Sequence, residues 1–232
     1  MTDIRDWIWN EVKQIGKDYD SVEEVSVYDA SHSKFRDTVS ESQEILLHLG
    51  AKKGEVLLDM GCGTGVFARE ASKIGLNVLA ADVSDTMLEF ANHKTNPEDS
   101  NIEYIKAGFL SDHYEDNFFD YVVTSFSFHH LPDFYKFIAL QRIKNCLKDD
   151  GKLFIQDVVI EDGDFEDNIN SLIDRQESLG GDFLREDAIQ HFQEEFSTFD
   201  WVLEGMLKRA GFYVASKSMM GGLLARYTCL KS

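Results

Sequence analysis

The sequence is short of three things, and each shortage removes a class of function. No uninterrupted apolar stretch approaches the roughly 20 residues that a bilayer crossing demands. The opening residues Thr2-Asp3-Ile4-Arg5-Asp6 have no apolar core of the kind a secretory leader carries, so no membrane span and a cytoplasmic location are expected. Cysteine is scarce: Cys62, Cys146 and Cys229 stand far apart with no CxxC spacing. That argues against a zinc site or a disulfide framework and fits a reducing compartment. Basic charge is the third shortage, with 23 Lys and Arg against 42 Asp and Glu, a net charge of −19. Phosphate contacts need clustered Lys and Arg, and none cluster here, so a nucleic-acid partner is not expected. The acidic runs Asp18 to Glu24, Glu98-Asp99, Asp112 to Asp120 and Glu161 to Asp167 read as solvated surface.

What is present is organised around Leu57-Leu58-Asp59-Met60-Gly61-Cys62-Gly63-Thr64-Gly65-Val66-Phe67-Ala68. An apolar run from Val56 to Met60 breaks into glycine at every second position. It then resumes with helical spacing through Phe67, Ala68 and Ala71, which predicts strand, tight turn and helix. Glycine lets backbone approach a ligand with no side chain between, and the helix start offers free N–H groups backed by its dipole. The third glycine, Gly65, comes too early for the dinucleotide pattern G-x-G-x-x-G, whose last small position is held by Val66. No Lys-Ser or Lys-Thr pair follows, which excludes a Walker-type phosphate loop. A nicotinamide dehydrogenase is therefore disfavoured. Cys62, inside the loop, reads as a small buried residue rather than a nucleophile.

The second signal is Asp82, at the end of the strand Asn77 to Asp82. A carboxylate about 20 residues beyond such a loop is placed to accept hydrogen bonds from ribose hydroxyls. It could instead cap a helix, but Ser84 is the more natural N-cap of the helix Asp85 to Lys94. The form D-x-G-x-G-x-G from Asp59 to Gly65, together with Asp82 and a fourth strand Phe118-Phe119-Asp120-Tyr121-Val122-Val123-Thr124-Ser125-Phe126 that matches an F-D-x-V pattern, resembles the class I S-adenosylmethionine-dependent methyltransferases. Small-molecule enzymes of the quinone-biosynthesis type are similar in kind. The resemblance covers about residues 40 to 160 by motif and the C-terminal part by strand pattern alone.

Taken in order, Ile4, Trp7, Ile8, Val12 and Ile15 predict an amphipathic helix over about residues 1 to 17. Val39 to Leu49 reads as a helix ended by Gly50, Phe67 to Ile74 as the first helix of the sheet unit, and Ile102 to Ile105 as a third strand. Phe137, Leu140, Ile143 and Leu147 mark a helix stopped at Asp149-Asp150-Gly151, and Lys152 to Val159 a fifth strand. Glu161 to Glu195 breaks into amphipathic pieces at Gly163 and Gly180-Gly181. Trp201 to Ala210 is a helix, followed by strands Phe212 to Ser216 and Leu224 to Leu230. The expected fold is α/β: a three-layer, doubly wound, mostly parallel sheet with a C-terminal antiparallel hairpin. One domain, 1–232, is expected, with a helical N-terminal cap over 1–50 and an inserted lid over 161–195 before the last helix and hairpin. Monomer and homodimer both remain open.

The resemblance implies S-adenosylmethionine as cofactor and S-adenosylhomocysteine as product, held by Asp59, Gly61, Cys62, Gly63, Gly65, Asp82, Val83 and Met87 on one side. Gly108, Phe109, Leu110, Ser125 and Phe126 would complete the pocket, with Tyr28 and Arg36 closing over it from the segment ahead of the first strand. Arg36 would fork onto the cofactor's carboxylate or else form a surface ion pair; His32 is a third residue of that lid. Relatives often carry an acid after the glycine at Gly108 to recognise adenine; Phe109 stands here, so apolar contact and main-chain groups would hold the base. His129 and His130 are candidates for a general base or for buttressing the turn, with Asp157 and Glu194 as further proton acceptors. No third ligand lies near the His pair at a familiar spacing, so no metal is expected. Phe183, His191, Phe192, Phe196 and Trp201 would wall a substrate pocket or form the lid's own core. The implied activity is methyl transfer to a small, partly apolar acceptor. Another S-adenosylmethionine-using transferase, a cofactor-modifying enzyme or a non-catalytic cofactor-binding protein on the same fold are the alternatives.

Overall fold

The computed structural model describes residues 7–13, 36–96, 101–111 and 114–232. Among the described residues one helix, α1 (Thr38–Leu49), precedes the sheet. It starts where the Asp37 side chain accepts the Ser40 N–H at 3.0 Å and ends at Gly50 in the left-handed conformation. Then β1 (Val56–Met60), α2 (Val66–Lys73), β2 (Asn77–Asp82), α3 (Asp85–Lys94) and β3 (Ile102–Lys106) alternate, followed by β4 (Phe119–Ser125). A single 3₁₀ turn, Phe128–His130, leads into α4 (Asp133–Cys146) and β5 (Leu147–Ile160). The chain closes with α5 (Phe165–Glu194), β6 (Thr198–Phe199), α6 (Asp200–Ala210), β7 (Phe212–Met220) and β8 (Leu224–Lys231).

The strands lie in the order β3-β2-β1-β4-β5-β8-β7, with β6 paired to β5. β3 to β5 are mutually parallel; β8 inserts antiparallel between β5 and β7. This is the expected mostly parallel sheet with a C-terminal antiparallel hairpin. Parallel strands covered on both faces read as nearly unbroken apolar runs, because successive side chains enter opposite cores. Leu58, Val122 and Leu153 pack with Leu140 of α4 and Leu203 and Leu207 of α6. Their neighbours Leu57, Val123 and Phe154 face the other way, against Ile45, Leu46 and Leu49 of α1 and Ala68 and Ala71 of α2. Each fully buried leucine contributes about 1.5–3 kcal/mol, and the two layers together fix the register Leu58↔Leu79 and Leu58↔Val122 that aligns the strand ends.

Two expectations change. Residues 7–13 form turns, not a helix: Ile8 and Trp9 pack onto the sheet's core, and Trp9 meets Tyr135 and Phe196, so tertiary contacts rather than a helical face use these aromatics. α4 ends at Cys146, before Asp149, because Leu147 already pairs with Phe119. Glu161 to Glu195 meets its expectation: after Gly163 it is helical from Phe165 to Glu194 in two pieces that break at Gly180 and Gly181, with Leu184 the buried residue of that helix. Among the described residues no helix is long and apolar enough to cross a membrane.

Candidate active site

At the C-terminal ends of β1, β2 and β4 a cleft opens, where open α/β sheets place their ligands. Its floor is the turn from β1 to α2, with Gly61 and Gly63 at φ +75° and +52°. A Cβ on Gly61 would overlap the Ser127 side chain, so bulk is barred there by packing, whereas a Cβ on Gly63 would meet nothing within 4 Å. Gly63 is thus open toward the cleft and is glycine because of its backbone. Cys62, buried, lines the same floor. Gly65 lies beneath, as N-cap of α2, packed under the Tyr104 hydroxyl and Ala91.

Two carboxylates face one another across this turn. Asp82 holds the loop: its Oδ2 accepts the Gly63 N–H at 2.8 Å and its Oδ1 the Ser84 N–H at 2.9 Å. Ser84 in turn caps α3 by accepting the Met87 N–H. Asp59 is 3% exposed, and among the described residues its Oδ2 has no hydrogen-bond partner. Burial, with the Asp82 charge added, pushes its carboxyl up to about 7. A buried carboxylate oxygen without a partner costs about 1–3 kcal/mol or more, so a cationic donor arriving in the cleft would relieve it. That orphaned oxygen, and the open backbone at Gly63, fit a ligand carrying an ammonium group.

Val83, Met87, Gly108 and Phe109 line the far end of the cleft. Phe109 is buried edge-on against Phe128, 5.3 Å between ring centroids. Leu110 lies behind, buried, and its N–H donates to Glu11 Oε1 at 2.9 Å. Glu11 arrives from the 7–13 segment; burial lifts its carboxyl to about 7 against the pull of the backbone N–H groups.

On the opposite side Arg36 donates to Glu41 through Nε at 3.1 Å and Nη2 at 2.6 Å, and its guanidinium lies 3.9 Å over the Phe126 ring. Burial raises the Glu41 carboxyl, but the Arg36 hydrogen bonds and charge outweigh it and hold it below the usual range. Arg36 thus forms the ion pair, on a cleft residue rather than at the surface. Phe126 has φ +55°, a conformation that a bulky side chain adopts at a cost; its N–H is held by the Gln156 carbonyl at 2.8 Å. Gln156 also ties Ser125 Oγ and Glu41 together. Tyr28 and His32 lie outside the described residues.

The histidine pair separates. His130 lines the cleft, whereas His129 is buried behind it, ring centroids 4.3 Å apart. His129 Nδ1 meets Asp157 Oδ1 at 2.5 Å and its Nε2 meets Glu195 Oε2 at 3.1 Å. Burial alone would lower the His129 pKa, but the two carboxylates raise it to about 9. Burial and the neighbouring His129 charge lower His130 to about 4. Asp157 also accepts the N–H groups of Phe128 and His129, so it both shapes the turn and sets the ring.

Other assignments are corrected. Glu194 is exposed and bonds Gln190; it is Glu195 that reaches His129. None of Phe183, His191, Phe192, Phe196 and Trp201 lines the cleft, and Phe183 and Trp201 are exposed. Glu11, Glu41, Ser127 and Glu195 carry no sequence signal of their own, since each is brought in by a segment distant in the chain.

The comparisons with known proteins agree with this geometry. Residues 58–155 match the family model described as a methyltransferase domain. The chain is 32% identical over 154 residues to an uncharacterized methyltransferase of Staphylococcus carnosus, covering 65% of this chain and 72% of that protein. It is 30% identical over 142 residues to a demethylmenaquinone methyltransferase of Staphylococcus aureus, covering 60% of this chain and 55% of that one. Phosphoethanolamine N-methyltransferase 2 of Haemonchus contortus, solved with S-adenosyl-L-methionine, shares the fold at a TM-score of 0.65 and 23% identity, over 86% of this chain and 44% of that one. The chain thus spans about half the length of these last two. The methyltransferase-domain match and the coverage of the Staphylococcus carnosus protein agree with the glycine turn, the acids Asp59 and Asp82 and the mostly parallel sheet seen here, and the chain belongs to the class I S-adenosylmethionine-dependent methyltransferases.

Proposed function

We propose that this chain transfers the methyl group of S-adenosylmethionine to a small-molecule acceptor bound in the cleft beside His130. The observation that carries the acceptor class is the cover over the cleft: Glu11 and Lys13 enter it from one segment, and Arg36 and Glu41 from another. A cleft walled in this way, on a chain of net charge −19 with no basic track, suits a compact molecule and leaves no path for a polymer. The names of the demethylmenaquinone and phosphoethanolamine enzymes support the same class.

When bound, the cofactor supplies a methyl group on a sulfonium, an already activated leaving group. The chain's own residues then align and exclude water. The turn Gly61 to Gly65 gives main-chain contact, Asp59 pairs the ammonium group, and Asp82, already fixed by the Gly63 and Ser84 N–H groups, accepts from the ribose hydroxyls. Phe126, pinned by Arg36 and Gln156, forms the wall at the strand end. His130 meets the acceptor, and His129 positions it through ring contact. The broken helix α5 forms a lid whose end returns Glu195 and Phe196 to His129.

Labelled methyl donor, offered with metabolite extract, total RNA and whole-protein lysate, tests the reading. Label is expected in the low-mass fraction and is expected to vanish on deletion of residues 164–181, with S-adenosylhomocysteine binding retained. Label mainly in RNA or protein overturns the acceptor class.

A further inference from the structure

Where the chain leaves β4, side chains that favour metals converge from two distant segments. His129 and His130 belong to the 3₁₀ turn and Glu195 follows α5, yet one ligand atom from each lies within 4.8 Å of the other two. His129 Nε2 and Glu195 Oε2 are 3.1 Å apart. Two ligands each about 2.1 Å from a tetrahedral ion stand roughly 3.4 Å apart, so this pair needs little movement to share one.

The partners behind these atoms are arranged as they are around bound ions. Asp157 Oδ1 holds His129 Nδ1 at 2.5 Å, which leaves Nε2 as the atom turned toward Glu195. Asp157 is itself anchored by the N–H groups of Phe128, His129 and Val158. On the other side His191 Nδ1 meets Glu195 Oε2, and Ser197 Oγ lies 2.8 Å from His191 Nε2. A carboxylate behind a ligating histidine orients the ring and raises its basicity, and a hydrogen bond to a carboxylate ligand fixes that ligand's orientation. The site is deep on one side, with His129 6% exposed, but His130 borders the cleft. Three protein donors with one side open to a ligand cleft is the pattern of reactive rather than purely structural metal sites.

We propose that His129, His130 and Glu195 bind one divalent first-row transition ion, of which Zn²⁺ is the type, with its remaining position open to the cleft. Imidazole and carboxylate donors suit Zn²⁺, Co²⁺ and Fe²⁺ better than Mg²⁺ or Ca²⁺. An acceptor bearing a hydroxyl or thiol would complete the coordination, and the ion would favour its deprotonated form. The site stands whether or not the acceptor reading above holds, because ion binding is read without turnover.

The test uses the full chain, stripped with a chelator and titrated with Co²⁺ while its visible absorption is followed, then with Zn²⁺ in competition. One equivalent of Co²⁺, displaced by Zn²⁺, is expected. His130→Ala and Glu195→Gln should each lower the affinity about tenfold or more, and His191→Ala should lower it while leaving the stoichiometry at one. Circular dichroism and melting of the metal-free variants separate lost ligands from lost fold; His130, at the cleft edge, is the variant that keeps its fold. Wild-type protein with a native melting transition that takes up neither ion at millimolar concentration overturns the proposal, and His129 then holds a proton between Asp157 and Glu195. Affinity unchanged in folded His130→Ala and Glu195→Gln overturns it equally.

Discussion

Asp59→Asn should stabilise the ligand-free protein and weaken it as a cofactor binder. In the folded chain burial and the Asp82 charge raise the Asp59 carboxyl from 3.8 to about 7. An acid whose folded pKa is raised binds its proton more tightly when folded, so the fold bears no penalty below about pH 4. The penalty then grows as the pH rises through 7. With 1.36 kcal/mol per pKa unit, its full size above pH 7 is about 4 kcal/mol. Asparagine keeps the shape and removes the charge, but its buried amide is not fully partnered, which returns about 1–3 kcal/mol. The expected net gain is therefore about 1–3 kcal/mol at pH 8 and close to none at pH 5. Urea denaturation of both proteins at the two pH values reads it directly, from the shift in midpoint at constant slope. Calorimetry with S-adenosylhomocysteine should show the opposite sign, at least about tenfold weaker binding. A variant no more stable than wild type at pH 8, or equally stabilised at pH 5 and pH 8, refutes the reasoning about a buried, unpaired carboxylate.

Asp82→Ala removes the acceptor for the Gly63 and Ser84 N–H groups as well as the proposed ribose contact. It should weaken S-adenosylhomocysteine at least tenfold, at about 1.5–3 kcal/mol per charged hydrogen bond, and leave methylthio compounds lacking the ribose little changed; equal losses for both ligands would point to a folding defect. Glu11 is held over Gly108 with its carboxyl raised to about 7 by burial, so docking of residues 7–13 is strongest at low pH and is lost as the pH rises through 7. Hydrogen exchange of these amides, corrected for intrinsic rate, should quicken between pH 5 and pH 8, and Glu11→Gln should remove that dependence.

The sheet was largely legible because its inner strands are buried on both faces. Val56 to Met60 and Asn77 to Asp82 are strands with the bounds expected of apolar runs cut by glycine and acid, and Ser84 caps α3 as its position before Asp85 suggests. The edges were less so. Trp7, Ile8 and Val12 have helical spacing, but the backbone there turns, and Ile8 and Trp9 answer to the surface they dock on. Sequence points to Glu194, but only the return of the chain after α5 shows that its neighbour Glu195 is the acid at His129. Gly61 and Gly63 look alike in sequence, yet one is barred from a side chain by Ser127 and the other faces open space. Lining of the cleft by Glu11 and Glu41 depends on long-range packing, which no local pattern encodes, whereas the family resemblance already points to Arg36.

The most direct measurement of the central claim is calorimetric titration of wild-type and Gly63→Val protein with S-adenosylhomocysteine and with NAD. Gly63 has φ +52° and faces the cleft, so valine there both strains the turn and fills the space a ligand backbone contact requires. Wild-type protein should take one equivalent of S-adenosylhomocysteine and no NAD, and a folded Gly63→Val should take neither. A folded Gly63→Val that binds S-adenosylhomocysteine as wild type does, or a wild type that prefers NAD, contradicts the account.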